Sequence, residues 1–153
     1  MRLLRPYMFE NRASELMKRA MRLAKEADGA KVGAILAGPE GEIVSEGAND
    51  RSSPFLHAEA IALREAWAKL GPSGFKECTL FCTLEPCAMC AGASLLFKVG
   101  RIVFGAWDPS AGACGSVWDI PRDAPGGWKT EVVGGFMAEE CSKILKDGFS
   151  DIR

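Results

Sequence analysis

Apolar positions recur first at helical spacing and then in short runs. Between residue 10 and about residue 27, Leu16, Ala20, Leu23 and Ala27 form one stripe, with Met17, Met21 and Ala24 beside it. Lys18, Arg22 and Lys25 line another face. That period predicts an amphipathic helix, ended by Asp28-Gly29. Residues 31–37 are a mostly apolar run, the pattern of a buried strand. Pro39-Glu40-Gly41-Glu42 turns the chain and residues 43–48 return as a second strand, so the two predict a hairpin. A loop of turn formers, 49–56, leads to a second helical pattern over 57–70, which Gly71-Pro72-Ser73-Gly74 stops. Residues 78–83 read as a third strand and residues 87 to about 97 as a helix. Pro86 suits that helix's first turn, where its missing N–H costs no hydrogen bond. A fourth strand over 99–105, a fifth over 130–134 and a closing helix over 137–148 complete the pattern. Residues 106–129 are a loop region too long to be idle in a compact domain.

This order predicts a three-layer α/β/α sandwich with a central five-stranded mixed sheet. The first two strands pair antiparallel, while helical crossovers between later strands favour parallel pairing. A length of 153 residues fits one domain, 1–153. The chain is 48% hydrophobic and 25% charged, ordinary for a soluble globular protein. Its net charge of −1 gives no global attraction to nucleic acid. Residues 1–25 are the most basic part, with seven basic and two acidic side chains; a solvated helix face is the favoured reading over an RNA-contacting stripe. No signal core is visible and no run approaches the roughly 18 apolar residues of a membrane span, so a cytoplasmic location is expected. Six cysteines in such a chain read as thiols rather than disulfides.

The candidate chemistry lies in two short stretches. His57-Ala58-Glu59 and Pro86-Cys87-Ala88-Met89-Cys90 together spell H-x-E and P-C-x-x-C. One imidazole and two thiolates make three zinc ligands and leave a fourth tetrahedral position for water, as in a hydrolytic centre. His57 is the only histidine of the chain, so no other can compete for the role. Cys87 and Cys90 share one helix face near its start, where the helix dipole favours thiolate. Glu59 opens the other helix and is placed to carry protons between water, a ring nitrogen and a departing amine. The arrangement requires two helix N-termini to converge on one Zn2+.

Other readings of each part exist. A lone C-x-x-C can be half of a structural zinc site, a redox pair or two core thiols. Cys78 and Cys82 do not supply the missing half, since on a strand they share a face about 13 Å apart. The conjunction of both motifs, each at a predicted helix start, favours the metal centre.

With these residues in place the chain resembles the signature of the zinc-dependent nucleobase deaminases. It is similar to the cytidine-deaminase-like superfamily and, within it, to the bacterial tRNA adenosine deaminases. The likeness runs through Thr83-Leu84-Glu85-Pro86-Cys87-Ala88-Met89-Cys90-Ala91-Gly92-Ala93, through Gly100 to Ala106, then Asp108, Gly112-Ala113-Cys114-Gly115-Ser116 and Met137-Ala138-Glu139-Glu140-Cys141. The resemblance implies a five-stranded sheet between helices and a homodimer. It implies that His57, Cys87 and Cys90 hold zinc and that Glu59 shuttles protons. It further implies that Asn49 hydrogen-bonds the base, that Asp108 lies near the target sugar, and that Leu84 and Glu85 line the base pocket.

The chain also departs from that branch. Its tail, Lys146-Asp147-Gly148-Phe149-Ser150-Asp151-Ile152-Arg153, replaces a basic helix; Trp107 stands where a basic residue commonly precedes the aspartate. Ser53-Pro54-Phe55-Leu56 is a bulkier, more apolar approach to His57. Each change trims charge that would neutralise phosphate or adds apolar wall. Phe55, Trp107 and Trp128 are candidates to stack against a substrate base. Three functions follow from these residues. The first is deamination of adenosine to inosine at the tRNA wobble position, with the anticodon loop as partner. The second is deamination of a free nucleobase or nucleoside such as guanine, cytosine or adenine. The third is a non-catalytic zinc-stabilised binding module, against which Glu59 argues. The first is favoured, resting on the loop from Gly105 to Ser116 and the basic first helix, including Arg19 and Arg22.

Overall fold

The structure, a computed structural model, describes residues 6–149. Arg2, Arg5 and the tail 150–153 lie outside the described residues. The chain runs α1 (Pro6–Glu26), β1 (Gly33–Ala37), β2 (Ile43–Ala48), α2 (Ala58–Leu70), β3 (Thr79–Leu84) and α3 (Ala88–Leu96). It continues β4 (Arg101–Ala106), α4 (Ile120–Asp123), β5 (Glu131–Val133) and α5 (Ala138–Phe149). The five strands form one mixed sheet in the order β2-β1-β3-β4-β5. Helices α1 and α5 contact each other and the central strands, while α2 packs on β1 and β2 and against α3.

The apolar patterns explain the layers. All of Gly33-Ala34-Ile35-Leu36-Ala37 is buried, because β1 sits between β2 and β3 with helices over both faces. Ala13, Leu16, Met17, Ala20 and Ala24 form the buried stripe of α1, whereas Leu23 is only partly buried at its margin. In α2 the small side chains Ala58, Ala62 and Ala66 let the helix lie close to the sheet. Gly47 of β2 has the same purpose, since a Cβ there would lie 2.1 Å from the Ala58 carbonyl oxygen. The first turn of α2 is thereby seated directly on β2.

Register decides where the ends of the strands fall. Strand β1 pairs antiparallel with both β2 and β3, so β2 and β3 run the same way, and β4 and β5 continue parallel to β3. Gly33 lies opposite Ala48, Ala34 opposite Cys82, and Leu84 opposite Ala106. The C-terminal ends of β2, β3 and β4 therefore meet at one edge of the sheet. The segments that follow them carry Asn49, then His57 after its loop, then Cys87, then Trp107 and Asp108.

The expected elements differ from the observed ones in several places. The first helix begins at Pro6 rather than near residue 10. The first strand starts only at Gly33 and the third runs to Leu84. The loop over 106–129 contains the four-residue α4, is joined to the start of α3 by a bridge between Cys87 and Gly112, and is folded on itself by one between Cys114 and Asp119. Pro86 lies outside its helix: Cys87 is the N-cap and Ala88 the first helical residue. The carbonyl of Pro86 accepts the N–H of Ala113 at 2.8 Å, so the proline closes the strand end and opens toward the loop.

Candidate active site

Both metal-binding motifs sit at helix starts because the residue before each helix must leave the helical backbone. His57 caps α2 in an extended conformation (φ −71°, ψ 150°) and Cys87 caps α3 likewise (φ −72°, ψ 176°). Cys90 follows within the first turn of α3. The two helix starts face one another across the sheet edge. His57 Nδ1 lies 3.4 Å from Cys87 Sγ and 3.8 Å from Cys90 Sγ, and the three donor atoms lie within 4.8 Å of one another.

These distances suit one tetrahedral ion. Zinc–sulfur and zinc–nitrogen bonds of about 2.3 and 2.0 Å make tetrahedron edges of roughly 3.5 to 3.8 Å. Among the described residues no further His, Cys, Asp or Glu joins the cluster, so the donor set is open at the fourth position. An imidazole nitrogen and two thiol sulfurs are donors that zinc accepts readily.

The electrostatics favour thiolate at Cys87. Its pKa falls to about 4, chiefly because Cys90 donates to its sulfur, with His57 adding to the effect against the cost of burial. Cys90 moves the other way, first through that same bond and then through burial. Of the two thiols, Cys87 is the one whose surroundings favour the thiolate. His57 is raised, mainly by its bond to Cys87, and the nearby Glu59 charge acts in the same direction. The remaining thiols Cys78, Cys82, Cys114 and Cys141 are buried core groups. Burial pushes Cys114 and Cys141 up to about 12, so nothing there prepares a thiolate.

Glu59 stands beside this cluster as a buried carboxyl, 4% exposed. Burial is the main cause that lifts it to about 7, and the Cys87 charge adds to the rise. A carboxyl held near neutrality can both take and return a proton at physiological pH. On the second residue of α2 it lies close enough to His57 for each charge to act on the other, as two positions at a helix start can.

The other expected site residues fall at the same sheet edge with different engagements. Asn49 is partly buried after β2, and its Nδ2 donates to the Asp28 carbonyl at 3.4 Å. Leu84, Trp107, Asp108, Pro109 and Ser110 line one cavity of about 390 Å³ together with Ala30 and Leu145. Trp107 is 51% exposed and packs edge-on against Phe104, ring centroids 4.8 Å apart. Asp108 Oδ1 accepts the N–H groups of Ser110 and Ala111, at 2.9 and 3.2 Å, which turns the loop. Glu85 is 1% exposed and its carboxylate faces the 108–116 loop rather than open solvent. Phe55 is 72% exposed on the approach to His57.

Two expectations are corrected. Trp128 is not a wall of this site: its indole N–H donates to the Val99 carbonyl, ahead of β4 and at the far end of that strand from Trp107. Arg19 is not a free cation: it forms an ion pair with Glu46 at 2.8 Å, a partner on β2. Arg12 is likewise engaged, with Glu15 and the Gly41 carbonyl. Sequence reasoning missed Ser116, whose hydroxyl and N–H both reach Glu85. Its place at the end of the Gly112–Ser116 stretch of the resemblance was the one sequence signal that marked it.

An α/β/α layer sandwich with an open three-ligand centre and a buried carboxyl defines a metal-dependent hydrolytic fold. Residues 10–106 match the cytidine and deoxycytidylate deaminase zinc-binding region. The chain belongs to that family. It is 37% identical over 143 residues to the tRNA-specific adenosine deaminase of Bacillus subtilis, covering 90% of this chain and 88% of the relative. It is 43% identical over 143 residues to the tRNA(Ile)-lysidine synthase of Deinococcus radiodurans, covering 90% of this chain but spanning only 24% of that relative's length. A solved tRNA:A34 deaminase, of the kind that edits A to I at the wobble position, superposes with a TM-score of 0.79 at 29% identity. That likeness covers 86% of this chain and 99% of the solved one.

Purified protein should carry about one zinc per chain by elemental analysis. Cys87→Ala should lose it, because two protein ligands no longer define the site. Glu59→Ala should retain it with an unchanged far-ultraviolet spectrum, since Glu59 is not a ligand. Loss of zinc in Glu59→Ala would contradict the division of roles.

Proposed function

We propose that the chain hydrolytically deaminates adenosine to inosine at the wobble position of tRNA. The observation that carries the chemistry is the open His57, Cys87, Cys90 cluster with the buried carboxyl of Glu59 beside it. The tRNA-specific adenosine deaminases among its relatives, matched along most of their length, support the substrate. When bound by these three residues, zinc supplies Lewis acidity that makes water a nucleophile at neutral pH.

The chain's own residues do the rest. Glu59 takes a proton from the attacking water and delivers it to the ring nitrogen beside the reacting carbon. It then carries the second proton to the departing amine, so one water is consumed and one ammonia leaves. Asn49 presents an amide for the base edge. Leu84 and the exposed indole of Trp107 give apolar surface against which an extruded base can stack. Asp108 holds the loop beside the sugar. Phosphate contacts are supported by Lys18, Arg22, Lys25 and Lys143, which outnumber the carboxylates Glu140 and Asp147 in one groove between α1 and α5. We further propose that two copies pair, a reading supported by Leu96, 84% exposed on α3, and Trp67, 48% exposed on α2.

One panel tests the substrate. Anticodon stem-loop RNA, guanine, adenine, cytosine and their nucleosides are each scored for ammonia release. Release from the RNA is expected, with binding that weakens steeply between low and physiological salt. Arg22→Glu should lower RNA affinity and flatten the salt dependence, because Arg22, unlike Arg19, lines the groove. Turnover of a free base without salt dependence, and silence on RNA, would establish the small-molecule reading instead. The pairing is tested by light scattering, which should give twice the chain mass of 16.4 kDa; the chain mass itself would refute it.

A further inference from the structure

The 1% exposed carboxylate of Glu85 has no ion-pair partner among the described residues, yet it is far from idle. Its Oε1 accepts the N–H of Asp108 at 3.4 Å and the hydroxyl of Ser116 at 2.5 Å. Its Oε2 accepts the N–H of Cys114 at 3.4 Å and that of Ser116 at 3.2 Å. Both oxygens are therefore engaged by one segment, residues 108–116. Gly112 lies so close that a Cβ there would sit 1.8 Å from Oε2, so the loop wraps the carboxylate without a side chain between. The backbone repeats the connection on either side. Glu85 N–H donates to the Ala106 carbonyl at 2.8 Å, Ala113 N–H donates to the Pro86 carbonyl at 2.8 Å, and Cys87 bridges to Gly112.

We infer that Glu85 is a positioning residue: it latches the 108–116 loop onto the turn that carries the cysteine ligands and does not itself bind substrate. A carboxylate whose four contacts all go to its own chain can reach a substrate only by releasing the loop. What the latch positions is the wall of the 390 Å³ cavity, since Asp108, Pro109 and Ser110 belong to the latched loop and Trp107 precedes it directly. A buried anion is suited to this task. Hydrogen bonds to a charged acceptor are roughly twice as strong as neutral ones, and one carboxylate can gather several N–H groups that a turning loop leaves unpaired. The purpose of the loop rests on the deaminase reading, whereas the latch itself can be read without any substrate.

The test is Glu85→Gln followed by amide hydrogen exchange and zinc analysis. The carboxamide sets an NH2 group against loop N–H donors, so bonds are lost with little change in volume. Exchange at residues 108, 114 and 116 should speed up about tenfold or more, with one zinc per chain retained. Glu85→Asp, which keeps the charge, should recover part of the protection. On the anticodon stem-loop, KM should rise about tenfold while kcat stays within about twofold, the mark of a displaced binding wall. If Glu85→Gln does not fold, Ser116→Ala decides: it removes one donor and should speed exchange within the loop alone. Unchanged loop exchange in the folded variant, or zinc lost together with loop order, would overturn the inference. An unmodified protein inactive on the stem-loop would count against the proposed function and leave exchange to decide the latch.

Discussion

The structure depends on two helix N-termini meeting at one edge of a mixed sheet. A helix start exposes unpaired N–H groups and a positive dipole end, which tolerate and favour negative charge. Here the sulfur of Cys87 sits at such a start, facing the imidazole of His57, in surroundings that favour its thiolate. The sheet makes the meeting possible. Because β1 pairs antiparallel with both neighbours, β2 and β3 end on the same side and each hands its chain to a helix that starts there. The residues that bring α2 close to the sheet, Gly47 under Ala58 above all, are thus part of the metal centre's support.

Around that centre the protein separates two uses of buried carboxyls. Glu59 is buried among sulfurs and an imidazole, and its affinity for protons rises toward neutrality. Glu85 is buried among backbone N–H groups of a single loop. The first environment suits a group that exchanges protons, the second a group that fixes geometry. Both lie two residues from a member of the metal cluster in sequence, yet one meets sulfurs and an imidazole and the other the N–H groups of a loop.

The metal centre was legible in the sequence because its spacing is local. H-x-E and C-x-x-C each fall inside one helical turn, and the single histidine left no ambiguity. The layer order was legible for the same reason, from helical and strand periods that need no knowledge of partners. What escaped was set by long-range contacts. Arg19 looks free until Glu46 arrives from a strand 27 residues away. Trp128 looks like a stacking wall until its N–H is seen at the Val99 carbonyl. The resemblance implied pocket lining for Glu85, and its bonds to the 108–116 loop stayed out of sight because they depend on a loop that folds over it from more than twenty residues away. Pro86 was displaced by one position, since an extended residue before the helix can be the cap as easily as the residue before that. The short α4 carries too few residues to show a period.

The proposed chemistry rests on an open zinc centre made by the three donors that the two helix starts supply. X-ray absorption at the zinc edge of the purified protein tests it most directly. The account predicts two sulfur neighbours at about 2.3 Å and two lighter neighbours at about 2.0 to 2.1 Å, one of them the imidazole of His57 and the other from solvent. A shell of three or four sulfurs would contradict it, because another cysteine would then close the site and leave Glu59 no water to act on.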